Sequence, residues 1–233
     1  MATTVGETAA DFLNAKLNLG LTGTAMATGV LLVAFLVAQM NARKYVPWIY
    51  WMTVVLLSIF GTLLTDNLVD NFGVPLQTTT SVFGIALVVT LAAWYASERT
   101  LSIHTITTTR RELFYWAAVL FTFALGTAAG DLAAEGMHLG YAAAAQIYGG
   151  LIAAVVCAYY ILRINAIAAF WIAYVLTRPF GASCGDLLSQ PSSIGGMGLG
   201  VVGTSVIFLI IILGLVAYLT LRQKTVSTPP GQR

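Results

Sequence analysis

The sequence predicts an all-α integral membrane protein with about seven full transmembrane helices and a partial first one, and three observations carry the prediction. The 233 residues are 58% hydrophobic and only 9% charged, where an average soluble domain carries about 25% charged residues. Several apolar runs, among them Leu19 to Met40, Trp116 to Leu132 and Val201 to Leu221, reach the roughly 17–25 residues that carry a helix across a hydrocarbon core. A short motif recurs along the chain at spacings that mark four tandem two-helix repeats, arranged as a duplicated half.

The motif is an aromatic-Trp pair followed by Gly-x-x-x-x-Asp. Tyr50-Trp51, Tyr115-Trp116 and Phe170-Trp171 each precede a glycine by ten residues, at Gly61, Gly126 and Gly181. An aspartate stands five residues beyond each glycine, at Asp66, Asp131 and Asp186, and the same spacing joins Gly6 to Asp11. Glycine spacings of 55, 65 and 55 set the first and third copies, and the second and fourth, 120 apart. The first copy lacks its tryptophan because only five residues precede Gly6, and further residues before Met1 are expected.

The segments Gly6-Glu7-Thr8-Ala9-Ala10-Asp11, Gly61-Thr62-Leu63-Leu64-Thr65-Asp66, Gly126-Thr127-Ala128-Ala129-Gly130-Asp131 and Gly181-Ala182-Ser183-Cys184-Gly185-Asp186 resemble a bacterial family of membrane proteins made of tandem two-helix repeats of unknown function. The resemblance covers essentially the whole chain. It implies the fourfold architecture and brings no activity with it. Ala182 departs from the Glu or Thr found after the glycine elsewhere, so the fourth copy differs from the others.

Apolar runs place a partial helix over 2–14 and full helices over 19–41, 46–69, 76–97, 112–135, 138–162, 165–188 and 198–221. The repeats cover about 1–41, 46–97, 112–162 and 165–221, within one transmembrane domain over 1–224, and 225–233, with Pro229-Pro230-Gly231, reads as a disordered cytoplasmic tail. With two crossings per repeat, all motif helices run the same way and their aspartates share one level. Arg43, Lys44, Arg99, Arg110, Arg111, Arg163, Arg222, Lys224 and Arg233 flank the starts of motif helices or follow the last helix, whereas Lys16 lies in an opposite loop. The positive-inside rule then puts both termini in the cytoplasm of a bacterial inner membrane and the aspartates toward the outer face. Glu7, Asp11, Asp66, Asp70, Asp131, Glu135 and Asp186 form an acidic outer half, a field that gathers cations.

Other classes are excluded by composition. A net charge of +2 with basic residues scattered in loops gives no stripe for nucleic acid. Cys157 and Cys184, both inside apolar runs, make neither a disulfide framework nor a zinc site. No early segment has the charged start, short apolar core and cleavage site of a secretory signal. Lys16, Lys44 and Lys224 lie at or beyond helix ends, so no mid-membrane amine serves a retinal Schiff base, and no nucleotide-binding loop is present.

The candidate site is the aspartate layer, Asp11, Asp66, Asp131 and Asp186. On a helix, residues four apart share a face, which stacks Glu7 over Asp11, Thr62 over Asp66 and Thr127 over Asp131. Such hard oxygen ligands suit Mg²⁺, Ca²⁺ or Mn²⁺, and the carboxylates serve protons equally well. The bland alternative is that each aspartate hydrogen-bonds a helix end near the interface. A carboxylate at mid-membrane costs roughly 2.5–3.5 kcal/mol on insertion scales, so four copies point to use. Arg178, two turns before Asp186, reads as a counter-ion to the cluster, with a tethered cation or an anion-binding group as alternatives. Pro179-Phe180-Gly181 is expected to interrupt its helix, as in transporters built on broken helices.

Trp51, Trp116 and Trp171 are expected to form an interfacial belt. His104 and His138 are expected in loops, and 98–111, rich in threonine, is a hinge candidate between the halves. The expected function is secondary transport of a small cation, a divalent metal such as Mn²⁺ exchanged for protons, between rocking halves, with the lipid bilayer as surroundings and no cofactor or catalysis. The alternative is a membrane scaffold or sensor with structural aspartates.

Overall fold

A computed structural model describes residues 2–17, 19–42 and 46–226, with the side chains of 2, 7, 11, 15–17 and 219–226 outside the description. Among the described residues eight α-helices follow one another: α1 (Ala2–Leu17), α2 (Gly20–Asn41), α3 (Pro47–Asp66), α4 (Leu76–Glu98), α5 (Thr109–Asp131), α6 (Tyr141–Ile161), α7 (Ala166–Ser189) and α8 (Gly200–Val226). Their starts carry local signals. Pro47 stands in the first turn of α3, where its missing N–H is no loss. The Arg111 amide donates to the Thr108 hydroxyl before α5, and the Ile167 and Ala168 amides donate to the Asn165 side chain before α7. Gly140, at φ 78°, turns the chain into α6 in a conformation that favours glycine.

Seven of these helices, α2 to α8, are long and apolar enough to cross a membrane; α1, at 16 residues, is the shorter eighth. The helix bounds expected from the sequence differ from these mainly at the ends. The tail 227–233, most of the expected cytoplasmic tail, lies outside the described residues, as do Arg43 and Lys44.

The motif helices form a closed ring, in which α1 packs on α3, α3 on α5, α5 on α7 and α7 on α1. The motif glycines set the spacing. A Cβ on Gly6 would collide with Ser58, one on Gly61 with Phe123, one on Gly126 with Arg178 and one on Gly181 with Thr3. Each collision partner stands three positions before the next motif glycine, so a single contact is repeated around the ring. Small residues at such contacts let helix backbones approach closely, as packing in lipid requires. The contacts between the two halves are of the same kind as those within them.

The second helix of each repeat lies outside the ring, mainly against the first helix of the following repeat: α2 on α3, α4 on α5, α6 on α7 and, closing the cycle, α8 on α1. Burial separates the two shells. Within the spanning stretches 56% of residues are buried in α3 and α5 and 39% in α7, against 17% in α2, α4 and α6 and 11% in α8. The outer shell exposes Met26, Val30, Val82, Ile85, Val88, Ile147, Leu151, Val202 and Ile210, among others, a continuous apolar coat that a soluble surface does not carry.

Two expectations are corrected here, and a third segment is described in its contacts. Trp116 and Trp171 are each only 4% exposed and belong to the main core cluster with Tyr115, Phe123 and Trp94. They are packing residues rather than a belt, because four ring contacts with Tyr50, Tyr115, Phe170 and Tyr174 hold them inside. The 98–111 segment, the hinge candidate, is tied down by three hydrogen bonds. Arg111 Nε donates to Glu98 Oε2 at 2.7 Å, its Nη1 donates to the Thr105 carbonyl at 2.8 Å, and Trp171 Nε1 donates to the Leu101 carbonyl at 2.9 Å. Pro179 does not break α7, which runs unbroken over Ala166–Ser189. Close packing of its flanks on α5 and α1 at Gly126 and Gly181 holds the helix together despite the lost N–H.

Candidate ion-binding site

Parallel motif helices in a ring bring their equivalent residues to one level, and the aspartates follow. Asp66, Asp131 and Asp186 line one cleft of about 190 Å³ at the aspartate end of the ring, together with Asn14, Asp70, Glu135 and Gln190. Asp186 is buried, Asp66 and Asp131 are half-buried, and Asp70 and Glu135 are exposed at the rim. Asp11 and Glu7 lie on α1, whose backbone completes the ring, but their side chains fall outside the described residues.

The rim residues belong to the repeat too. Asp70, Glu135 and Gln190 each stand nine positions after their motif glycine and four after their aspartate, one helical turn further out. That register is legible in the sequence. What it does not show is that α3 and α5 leave the α-helix immediately after Asp66 and Asp131 and continue as single π-helical turns over Asn67–Asn71 and Leu132–Gly136. Each π turn closes with a bond spanning five residues, from the Phe72 amide to the Asn67 carbonyl and from the Met137 amide to the Leu132 carbonyl. Such wide turns recur at functional sites, and Asp70 and Glu135 lie within them.

Neighbouring polar groups hold this end in place. Tyr141 of α6 donates to Glu135 Oε1 at 2.9 Å, and Tyr148 of α6 donates to the Ala129 carbonyl at 2.7 Å. Thr22 of α2 donates to Asn67 Oδ1 at 3.1 Å, and Asn71 Nδ2 donates to the same oxygen at 3.0 Å. Neither tyrosine carried a sequence signal that distinguished it from an ordinary interfacial aromatic.

Thr62 and Thr127 lie below the cleft and are not among its lining residues. Their hydroxyls meet across the α3–α5 interface at 3.0 Å. Arg178 lies deeper, with its guanidinium carbon 3.9 Å from the Phe123 ring centroid and 4.3 Å from that of Tyr174, and with Nη1 3.4 Å from the Thr3 hydroxyl. His104 and His138 lie in connecting segments and are exposed.

Among the described residues, no group of three or more His, Cys, Asp or Glu side chains is close enough together to hold a metal ion. The carboxylates share a cleft without converging on one point.

A ring of four parallel motif helices, sheathed by four more and holding an acidic cleft at one end, defines a multi-pass helical membrane protein built from internal repeats. The chain belongs to the family described as a repeat of unknown function, DUF347, which matches it four times in tandem, at residues 1–45, 49–100, 114–165 and 169–225. No curated protein and no solved structure matches the chain significantly.

Proposed function

We propose that the protein is a secondary transporter of a small cation, a divalent metal such as Mn²⁺ exchanged for protons, that lies in a bacterial inner membrane with both termini cytoplasmic and its acidic cleft toward the outer face. The observation that carries this reading is that Asp66, Asp131 and Asp186 line one cleft. Intramembrane carboxylates are retained against their desolvation cost chiefly where they bind ions or move protons. The rim carboxylates Asp70 and Glu135 add to the negative field that draws cations in. Asp11, with Glu7 one turn before it, is the fourth contributor by repeat symmetry.

The closed ring favours a path along its axis over rocking of the duplicated halves. With α1, α3, α5 and α7 joined by like contacts on all sides, the path runs along the ring axis, and access changes by side-chain rearrangement and small helix shifts around that axis. Cation binding tests the reading first. Mn²⁺, Mg²⁺ and Ca²⁺, titrated separately onto detergent-solubilised protein, are expected to raise the thermal unfolding midpoint, as any ligand of the folded state does. The rise is expected to shrink in Asp66→Asn and Asp131→Asn. Equal shifts in wild type and both variants would remove the carboxylates from cation binding.

A further inference from the structure

Arg178 occupies a place that the acidic cleft does not explain. Its backbone precedes Asp186 by eight residues of α7, ~12 Å at 1.5 Å rise per residue, and its side chain points away from that aspartate, toward Tyr174 one turn earlier. The head group touches Thr3 on α1 and Phe123 on α5, the two inner helices that flank α7, as a side chain directed into the ring must. Arg178 is 7% exposed, and its Nε is buried with no hydrogen-bond partner among the described residues. A guanidinium stays protonated in proteins, so this is a fixed charge inside the bundle, compensated by two aromatic faces. The equivalent positions in the other repeats are Thr3, Ser58 and Phe123, so one cation stands at this level.

What lies on either side gives the charge a role. Toward one end are the Thr62–Thr127 pair and then the acidic cleft. Toward the other, Tyr174 packs against the core cluster that contains Tyr115, and Tyr115 pairs with Tyr50 at 2.6 Å. Tyr50 and Tyr115 in turn line a cavity of about 700 Å³ with Gln39, Glu112 and Thr108. Arg178 therefore lies at a level between the acidic cleft and this second cavity, which flanks α3 and α5 at the other end of the bundle.

We propose that Phe123, Tyr174 and Thr3 form a cation site on the ring axis, that Arg178 fills it as a tethered cation, and that this closes the path to cations arriving from the acidic cleft. The proposal rests on the cation-transport reading and adds its gate. An incoming cation meets a like charge in a medium of low dielectric, where repulsion is far stronger than in water, and finds the aromatic faces already occupied. Transport then requires Arg178 to swing aside, and the gate is the residue rather than a moving domain.

The test is Mn²⁺ flux into proteoliposomes holding the full-length protein, comparing wild type, Arg178→Lys, Arg178→Ala, Arg178→Ala with free guanidinium, and Asp66→Asn. Arg178→Ala is expected to raise passive flux by roughly tenfold or more, the factor that a small loss of barrier yields. Arg178→Lys is expected to stay near wild type, and free guanidinium is expected to lower the flux of Arg178→Ala by refilling the cage. Where Arg178→Ala fails to assemble, Arg178→Gln replaces it with the same expectation. Unchanged or lower flux in the charge-removing variant, with flux lost in Asp66→Asn, overturns the gate and leaves transport standing. Raised flux in that variant with Asp66→Asn unaffected upholds the gate and removes the carboxylate from the path. No flux in wild type or in any Arg178 variant overturns both.

Discussion

Thr62 on α3 and Thr127 on α5 share a hydrogen bond of 3.0 Å between hydroxyls that are almost completely buried. They occupy the same place in successive repeats, one residue after the motif glycine, and so join equivalent points of neighbouring ring helices. Replacing either one by the near-isosteric valine deprives the other of this partner and is expected to lower stability by roughly 1–3 kcal/mol, the usual cost of a buried polar group short of a bond. The double change Thr62→Val with Thr127→Val is expected to cost less than the sum of the single ones. Thermal unfolding in detergent, run as a double-mutant cycle, measures the coupling, and strict additivity would deny the interaction.

The ring's spacing depends on its glycines. Gly126→Ala would set a Cβ into the Cβ and backbone of Arg178, and overpacking of this kind costs about 1–3 kcal/mol. Gly150→Ala, on α6 with open space around it, is expected to be neutral or slightly stabilising, since it only restricts the unfolded chain. A paired measurement of unfolding midpoints separates close packing from a general intolerance of side chains.

Trp171 reaches from the fourth repeat to the Leu101 carbonyl in the connection between halves. Trp171→Phe keeps the ring and loses this bond, so faster amide exchange or proteolysis is expected within 99–108. Trp48→Phe, at a position 59% exposed, is expected to leave that segment unchanged.

Tyr141 fixes Glu135 at the rim of the cleft. In Tyr141→Phe the carboxylate loses that restraint, and cation affinity is expected to fall by roughly two- to tenfold, in line with a net contribution of about 0.5–1.5 kcal/mol for one hydrogen bond. Cation-dependent shifts of the unfolding midpoint report the change, and an unaltered titration would exclude Glu135 from the binding site.

The repeat arithmetic made the helices, their common direction and the common level of Asp66, Asp131 and Asp186 readable from the chain, because each depends only on position within a repeat. Closure was not readable. Nothing in the composition of α8 says that it packs on α1, since an evenly apolar helix carries no face that names its neighbour. The tryptophans misled because an aromatic near a helix start satisfies both an interfacial belt and a core, and only the neighbouring rings of Tyr50, Tyr115 and Tyr174 decide between them. Arg178 misled by its sequence distance from Asp186. Helical side chains lean toward the helix N-terminus, which carries its charge to Phe123 and Tyr174 and away from the carboxylates. The π turns after Asp66 and Asp131 followed from no local signal.

The central claim is that the aspartates facing one cleft move a cation across the membrane. Its most direct measurement is saturable Mn²⁺ uptake into proteoliposomes, with and without a pH gradient, by wild type, Asp66→Asn and Asp131→Asn. Saturable uptake that responds to the gradient and is lost in both variants is the result expected. Absence of uptake of Mn²⁺, Mg²⁺, Ca²⁺ and Co²⁺ alike, with the variants merely less stable, would contradict it and leave the aspartates a structural role.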